Sequence, residues 1–317
     1  MHTILLAGGT GLIGTELQKF LGENGYRVIV LSRAGGKRED SNVKSLPEIF
    51  FWDPSQNKID REAIEQADVI INLAGAGVAD KRWTKARKKE IAESRVNTGK
   101  LIVKALSEIP NRVKLVINSS GIGWYGADPL IPNPHPFTED MPPDKEFLGI
   151  TCKAWEDSIQ PVTGLGKRLV IFRTGIVLTT KGGALAEFLK PLQWGVAGIL
   201  GSGRQIISWI HIHDLCRLFL FAIQNDNVQG VYNAVSPQPV SNKAFTIRLA
   251  QKKRGRFYIP LYVPSFVLKL ILGEMSVEVL KSATVSSHRI NREGFVFNYE
   301  NIDAAFDTLL ANKQSGL

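Results

Sequence analysis

Thr3-Ile4-Leu5-Leu6-Ala7-Gly8-Gly9-Thr10-Gly11-Leu12-Ile13-Gly14 is the stretch from which the rest of the chain is read. The apolar run Ile4 to Ala7 has the character of a strand buried on both faces. Glycines follow at a spacing of three, and a helix begins among them, with Leu12, Ile13, Leu17, Phe20 and Leu21 on one face. A strand, a glycine turn and a helix start together make an anion site, because unpaired amide N–H groups and the positive end of the helix dipole meet at one point. Gly8 permits the tight turn, Gly11 lets a diphosphate approach the backbone, and Gly14 lets the helix pack closely on the strand. Gly8, Thr10, Gly11, Leu12, Ile13 and Gly14 are therefore candidate contacts to a dinucleotide.

The second strand, Arg27 to Leu31, ends at Ser32-Arg33, where such a fold selects its cofactor. A carboxylate there would bind the ribose hydroxyls of NAD, whereas a cation accepts the adenosine 2′-phosphate. Ser32 and Arg33 stand there, and the first carboxylate after them is Glu39, so the expected cofactor is NADP(H). A charge-assisted arginine–phosphate contact contributes ~1.5–3 kcal/mol, enough to set the preference by tenfold or more.

Further strands are predicted at Glu48–Trp52, Asp68–Asn72, Arg112–Asn118 and Arg168–Arg173, alternating with helices around Asp60–Gln66, Thr84–Leu106 and Glu146–Ile159. The loop Leu73-Ala74-Gly75 and the serines Ser119-Ser120 thus arrive at the same carboxyl edge as the glycine turn. Past Arg173 the alternation loosens and glycines crowd. Asp214 reads as the N-cap of a helix over Leu215–Gln224, Ser241 as another cap, and Val263–Leu272 as an amphipathic helix. The expected architecture is α/β: a Rossmann-type doubly wound parallel sheet over 1–173, with a smaller α/β substrate lobe formed mainly by 174–317, some of whose segments return to the core.

At 44% hydrophobic and 22% charged residues, this is the composition of an ordinary soluble globular chain. Cys152 and Cys216 are the only cysteines and suggest neither a disulfide framework nor a metal cluster, which fits the cytoplasm. No signal peptide is read ahead of the first strand, and Val263–Leu272, broken by Lys269, is too short to span a bilayer. No membrane partner is expected. The net charge of +9 concentrates at Lys81, Arg82, Lys85, Arg87, Lys88 and Lys89. This run reads as a solvated helix face near a phosphate-rich ligand; without a recognition-helix or RNA-binding signature, no nucleic-acid partner is expected. A homodimer is an open possibility. His211 and His213 have no clustered companion ligands, so no metal is expected.

With these landmarks in place, the chain resembles the extended short-chain dehydrogenase/reductase superfamily. More narrowly, it resembles the atypical NADP-binding, NAD-dependent epimerase-like branch described as nucleoside-diphosphate-sugar epimerase-related. The resemblance rests on Gly8 to Gly14, Ser32-Arg33, Asn72-Leu73-Ala74-Gly75, Arg82-Trp83-Thr84, Ser94-Arg95, Trp124-Tyr125-Gly126, Trp155-Glu156, Trp209 to Leu215, and Gly294-Phe295 with Tyr299, and so covers nearly the whole length. It implies that Ser32 and Arg33 hold the adenosine phosphate, that Leu73 and Ala74 line the cofactor, and that Glu90, Arg95 and Val177 reach it.

The resemblance also exposes a loss. The superfamily uses a tyrosine acid/base and a lysine four residues later, with a serine or threonine that orients the substrate. Registering the helix on Glu156 puts Leu148 and Cys152 in those places; registering it on Cys152 puts Glu156 in the lysine place. Neither supplies a phenol and an amine, and Gly121 falls at the hydroxyl position beside Ser120. General acid–base assistance contributes ~10²–10⁴ in rate. Candidate replacements are Ser120, Tyr125 and Glu156. The competing readings have Tyr125 packed under the nicotinamide, Ser120 capping a strand end and Glu156 paired with a cation. Two functions follow. One is an NADP(H)-dependent oxidoreductase or epimerase acting on an unidentified small carbonyl or nucleotide-sugar substrate. The other is an NADPH-binding sensor with little turnover.

Overall fold

The computed structural model describes residues 2–34 and 47–311. Strands β1 (Thr3–Ala7), β2 (Arg27–Ser32), β3 (Glu48–Asp53), β4 (Lys58–Ile59), β5 (Val69–Asn72), β6 (Leu115–Gly121) and β7 (Arg168–Thr174) are interleaved with helices α1 (Leu12–Glu23), α2 (Arg61–Gln66), α3 (Lys85–Glu108) and α4 (Phe147–Ile159). The chain continues through β8 (Ile176–Leu178), α5 (Gly183–Leu192), β9 (Val196–Leu200), β10 (Ile206–Ile207), β11 (Trp209–His211) and α6 (Ile212–Gln224). It ends with β12 (Gly230–Ala234), β13 (Val240–Ser241), α7 (Asn242–Arg254), β14 (Ile259–Val263), α8 (Ser265–Leu272), α9 (Ser276–Leu280), α10 (His288–Arg292) and α11 (Ile302–Ala311).

Eight strands form one sheet in the order β12-β7-β6-β5-β1-β2-β3-β4, parallel except where β4 turns back on β3. The two-residue alternation of β1 explains its unbroken apolar run. Ile4 and Leu6 enter the core shared with α1 and α6, whereas Leu5 and Ala7 enter the core beneath α2 and α3. From β1 the chain winds one way to β2 and β3, and from β5 the other way to β6 and β7. The reversal leaves a crevice at the carboxyl ends of β1 and β5, where sheets of this kind bind ligands. The smaller pairs β8–β11, β9–β14 and β10–β13 lie downstream, with α5 and α7 packed on β9. Strand β12 leaves that region and completes the main sheet beside β7.

Three expectations need correction. The strand expected at Arg112–Asn118 is β6, Leu115–Gly121, so Ser119 and Ser120 lie within it. Arg112 stays outside, its Nε 2.8 Å from the Asp68 carboxylate. Helix α6 is capped by His211, whose Nδ1 accepts the His213 amide at 3.0 Å, and not by Asp214. Asp214 is fully buried and accepts the amides of Asn298 and Tyr299 at 3.0 and 2.9 Å, while Arg217 donates to it at 2.8 Å. Its carboxylate therefore anchors the C-terminal segment, a long-range role that a local cap signature conceals. Finally, Val263 closes β14, and Pro264 separates it from α8. Ser241 does cap α7, accepting the Ala244 amide at 3.2 Å.

Candidate functional site

The site begins at the turn between β1 and α1. Gly8 has φ +81°, and a Cβ there would lie 2.8 Å from the Leu73 carbonyl carbon. A Cβ on Gly14 would lie 2.3 Å from the Gly8 carbonyl oxygen. Side chains are thus excluded at both positions, at Gly8 by conformation and crowding and at Gly14 by the packing of α1 on the turn. Gly11 is the N-cap, no side chain caps the helix, and its first turn has no acidic residue. The free amides of Leu12, Ile13 and Gly14 therefore remain for an anion.

Several candidate residues converge on this turn. Leu73 and Ala74 abut Gly8. Gly75 sits tightly against the Arg95 side chain: a Cβ on Gly75 would be 3.0 Å from the Arg95 Cγ. Leu12 packs on Gly182 and Gly183, and a Cβ on Gly183 would lie 4.0 Å from the Val177 carbonyl oxygen. Asn72 and Asn118, both fully buried, lock the ends of β5 and β6 through a 2.7 Å hydrogen bond from Asn72 Nδ2 to Asn118 Oδ1. Asn118 Nδ2 in turn donates to the Ser119 carbonyl at 2.7 Å.

The cations near the crevice differ in exposure: Arg33 is exposed, Arg95 half-buried and Arg87 buried. Arg33 is exposed one residue past β2, and the Ser32 hydroxyl accepts the Ala34 amide at 3.2 Å. Asp53 and Glu90 both feel the field of Arg33. The hydrogen bond from Arg87, reinforced by the charges of Arg87, Lys81 and Arg33, holds the Glu90 carboxyl below its ordinary range. Arg95 is half-buried and donates to the Ala76 and Ile91 carbonyls, both at 2.9 Å. Its guanidinium lies 5.0 Å over the Trp155 ring, and burial lowers its pKa. It has no carboxylate within ion-pair distance among the described residues, so its charge is available to an anionic ligand. The basic run is not the uniformly solvated face expected: Arg87 is buried, donating to Glu90 at 2.7 Å and to the Gly77 carbonyl. Glu39 lies outside the described residues.

The three candidate replacements, Ser120, Tyr125 and Glu156, meet in one buried network. Glu156 receives Arg173 Nε on Oε1 at 2.9 Å, Arg173 Nη2 on Oε2 at 3.0 Å, and the Ser120 hydroxyl on Oε1 at 2.7 Å. Arg173 Nη1 donates to the Tyr125 hydroxyl at 3.1 Å and to the Glu139 carbonyl at 3.0 Å. The Tyr125 hydroxyl donates to Asn233 Oδ1 at 2.7 Å, and its ring stacks on Phe137. The guanidinium of Arg173 lies 3.5 Å over the Trp124 ring. Burial pushes the Tyr125 phenol up to about 12. All three residues are buried with their polar atoms engaged, so the network ties β6, β7, α4 and β12 together behind the crevice.

Arg173 and Asn233 were not singled out by sequence reasoning. The signal was an arginine ending the apolar strand Leu169-Val-Ile-Phe172, since a charge in such a strand must find a buried partner.

The residues that the two registers set in the superfamily's tyrosine and lysine places also have defined surroundings. Leu148 packs over Gly123, and the Cys152 thiol lies 3.6 Å from the Gly121 carbonyl oxygen. Burial pushes that thiol up to about 11, so it is no nucleophile at neutral pH. His211 stacks on Tyr299 at 3.8 Å and is held down to about 4 by burial, while His213 meets Phe20 edge-on. Among the described residues no three histidine, cysteine or carboxylate side chains are placed to hold a metal. No described helix is long and apolar enough to cross a membrane. A shallow depression lined by Arg112, Lys114, Lys167, Arg168 and Asp226 lies at the opposite, amino-terminal edge of the sheet and plays no part in this crevice.

Comparison with known proteins agrees with this geometry. A model of the NAD dependent epimerase/dehydratase family matches residues 4–147, and a domain of unknown function, DUF1731, matches residues 263–309. The epimerase family protein YfhF of Bacillus subtilis is 31% identical over 313 residues, which span 98% of this chain and 99% of that protein. The epimerase family protein SH2119 of Staphylococcus haemolyticus is 32% identical over 311 residues, 98% of this chain and 99% of that one. Among solved structures, human epimerase family protein SDR39U1 (isoform 2), crystallised with NADPH, matches with a TM-score of 0.85 at 29% identity, covering 98% of this chain and 99% of that chain.

Proposed function

The chain belongs to the NAD-dependent epimerase/dehydratase family, and from that premise we propose that it binds NADP(H) and turns over slowly or not at all by the superfamily's usual acid–base route. The observation that carries the first half is the uncapped start of α1, cradled by Gly8 and Gly14, with Arg33 at the tip of the next strand. The free amides take the diphosphate, Arg33 takes the 2′-phosphate, and Arg95 lends a second cation on the far side of the β5 loop. The NADPH in the human relative supports this choice over NAD.

The second half follows from the engaged polar atoms of Ser120, Tyr125 and Glu156. A general acid or base must exchange a proton with the substrate within hydrogen-bond reach. Here the phenol lies between Arg173 and Asn233, and the carboxylate accepts three hydrogen bonds, two from Arg173 and one from Ser120. We read the three as a strut that fixes the ends of β6 and β7. A protein that retains NADPH without consuming it is suited to sensing the reduced cofactor.

A second reading, an oxidoreductase or epimerase on a small carbonyl or nucleotide-sugar substrate, is favoured by one feature. Lys281 is largely buried beside the Tyr125 loop, its amine 2.6 Å from Glu278 and 3.3 Å from the Tyr125 carbonyl oxygen. That places an ammonium from the C-terminal region beside the segment that carries Tyr125. The deciding experiment loads the protein with NADPH, offers a panel of carbonyl compounds and nucleotide sugars, and follows absorbance and epimer formation. Binding without turnover supports the sensor. Turnover abolished by Lys281→Met establishes the enzyme.

A further inference from the structure

Between Gln251 and Ile271 only Leu268 is buried. This stretch carries Phe257, Ile259, Leu261, Tyr262, Phe266, Leu270 and Ile271 on the surface, several more than two-thirds exposed. Helix α8 is apolar at nearly every position, and such a helix is ordinarily enclosed. On helical spacing Phe266 and Leu270 lie side by side with Lys269 at their flank. Among the described residues strand β14 pairs only with β9, and its Ile259, Leu261 and Val263 share a face with Val196, Gly198 and Leu200. Trp194, 86% exposed, adjoins this ribbon, because the next residue, Gly195, accepts the Ile259 amide at 2.8 Å.

The charges within this stretch have one sign. From Gln251 to Gly273 the chain holds Lys252, Lys253, Arg254, Arg256 and Lys269 and no carboxylate. Only Lys252 is paired among the described residues, with Asp307 at 2.6 Å. A Cβ on Gly195 would lie 3.8 Å from Arg254 Nη2, so the cations border the exposed aromatics directly.

We propose that this face, formed by α8, β14 and the Trp194 turn, docks on an anionic lipid bilayer, with the apolar side chains entering the interface and the cations engaging the headgroups. Aromatic side chains favour the headgroup level, and lysine and arginine rest their aliphatic stems on apolar neighbours while reaching for phosphate. A second copy of the chain fits poorly. A two-fold contact would bring two patches of the same positive charge together, and Pro260 removes an amide from the free edge of β14. Aliphatic side chains as numerous as these also fit a bilayer better than a nucleic acid, which takes up aromatic rings and charges. The attachment is peripheral and departs from the expectation of no membrane partner.

The test is flotation of the full chain with vesicles of phosphatidylcholine alone and of an equimolar phosphatidylcholine–phosphatidylglycerol mixture, at low and high salt. The protein is expected to float with the anionic vesicles only and to be partly released by salt. Phe266→Asp with Leu270→Asp abolishes flotation. Each cation beside an anionic surface is worth roughly fivefold in partitioning, so Lys253→Glu with Arg256→Glu lowers it by at least about tenfold. Both pairs are solvent-exposed, and unchanged NADPH titrations and melting curves show that the variants fold. The proposal is overturned if the wild type does not float with anionic vesicles. It is equally overturned by sedimentation showing a dimer that Leu270→Asp dissolves, or by a single-stranded oligonucleotide binding the face more tightly than the vesicles do.

Discussion

At the scale of single residues, Arg33 carries the cofactor preference. Arg33→Asp replaces the phosphate's counter-ion with a like charge and should weaken NADPH by at least about tenfold while leaving NADH little changed. Titration of each nucleotide by fluorescence checks this, and an equal loss of both would remove Arg33 from the 2′-phosphate site. Glu156 makes a different prediction. Glu156→Gln leaves Arg173 buried without its counter-charge, and breaking such a pair costs about 3–5 kcal/mol, readable in denaturant unfolding. His211 sets a pH dependence. Its folded-state pKa of about 4 lies below the ordinary 6.5, so the unfolded chain binds the extra proton first. The contribution to stability is whole above pH 6.5 and is lost as the pH falls toward about 4. His211→Asn keeps a capping acceptor and removes the titration, so its unfolding midpoint should vary less across that window. Ser120 and Tyr125 were legible as neighbours because both fall at the carboxyl edge of the predicted sheet, whereas Glu156 entered through the helix that follows. Their roles were not, because the arginine that engages them comes from a strand 17 residues past Glu156, and Asn233, which accepts from the Tyr125 hydroxyl, lies 108 residues past Tyr125.

At the scale of elements, the strands and helices of the first half were readable because each is long and strongly periodic. The glycine turn was readable for a stricter reason, since its backbone admits nothing else. Gly8→Ala would force an L residue to φ +81° and set a methyl 2.8 Å from the neighbouring loop. It should lower stability by ~1–3 kcal/mol and weaken NADPH at least as much as Arg33→Asp does. Thermal melting with and without nucleotide tests both effects. Elements were misjudged where a long-range bond sets the boundary. Asp214 resembles a cap in sequence, yet its acceptors are filled by the amides of Asn298 and Tyr299, more than eighty residues away. The strand β14 escaped notice for the converse reason: its side chains are exposed and alternate between no two environments.

For the whole molecule, the crevice lies where the sheet's winding reverses, and the C-terminal region is fastened across to α3. Lys88 Nζ reaches Glu274 at 2.6 Å, and the Arg82 side chain lies against Gly273. A ligand seated in that crevice binds the native chain and not the unfolded one. NADPH at a hundredfold excess over its Kd should therefore add about 2.7 kcal/mol to stability and raise the melting temperature by several degrees. NADH at the same concentration should raise it less, and equal shifts would contradict the preference argued from Arg33. Strand β12 has a consequence of its own. Because Gly230–Ala234 zips onto β7, a nascent polypeptide cannot finish its central sheet until the ribosome has passed residue 234. A fragment cut at 173 would leave the backbone of β7 bare and strip Tyr125 of its acceptor on Asn233, so it should clump on release.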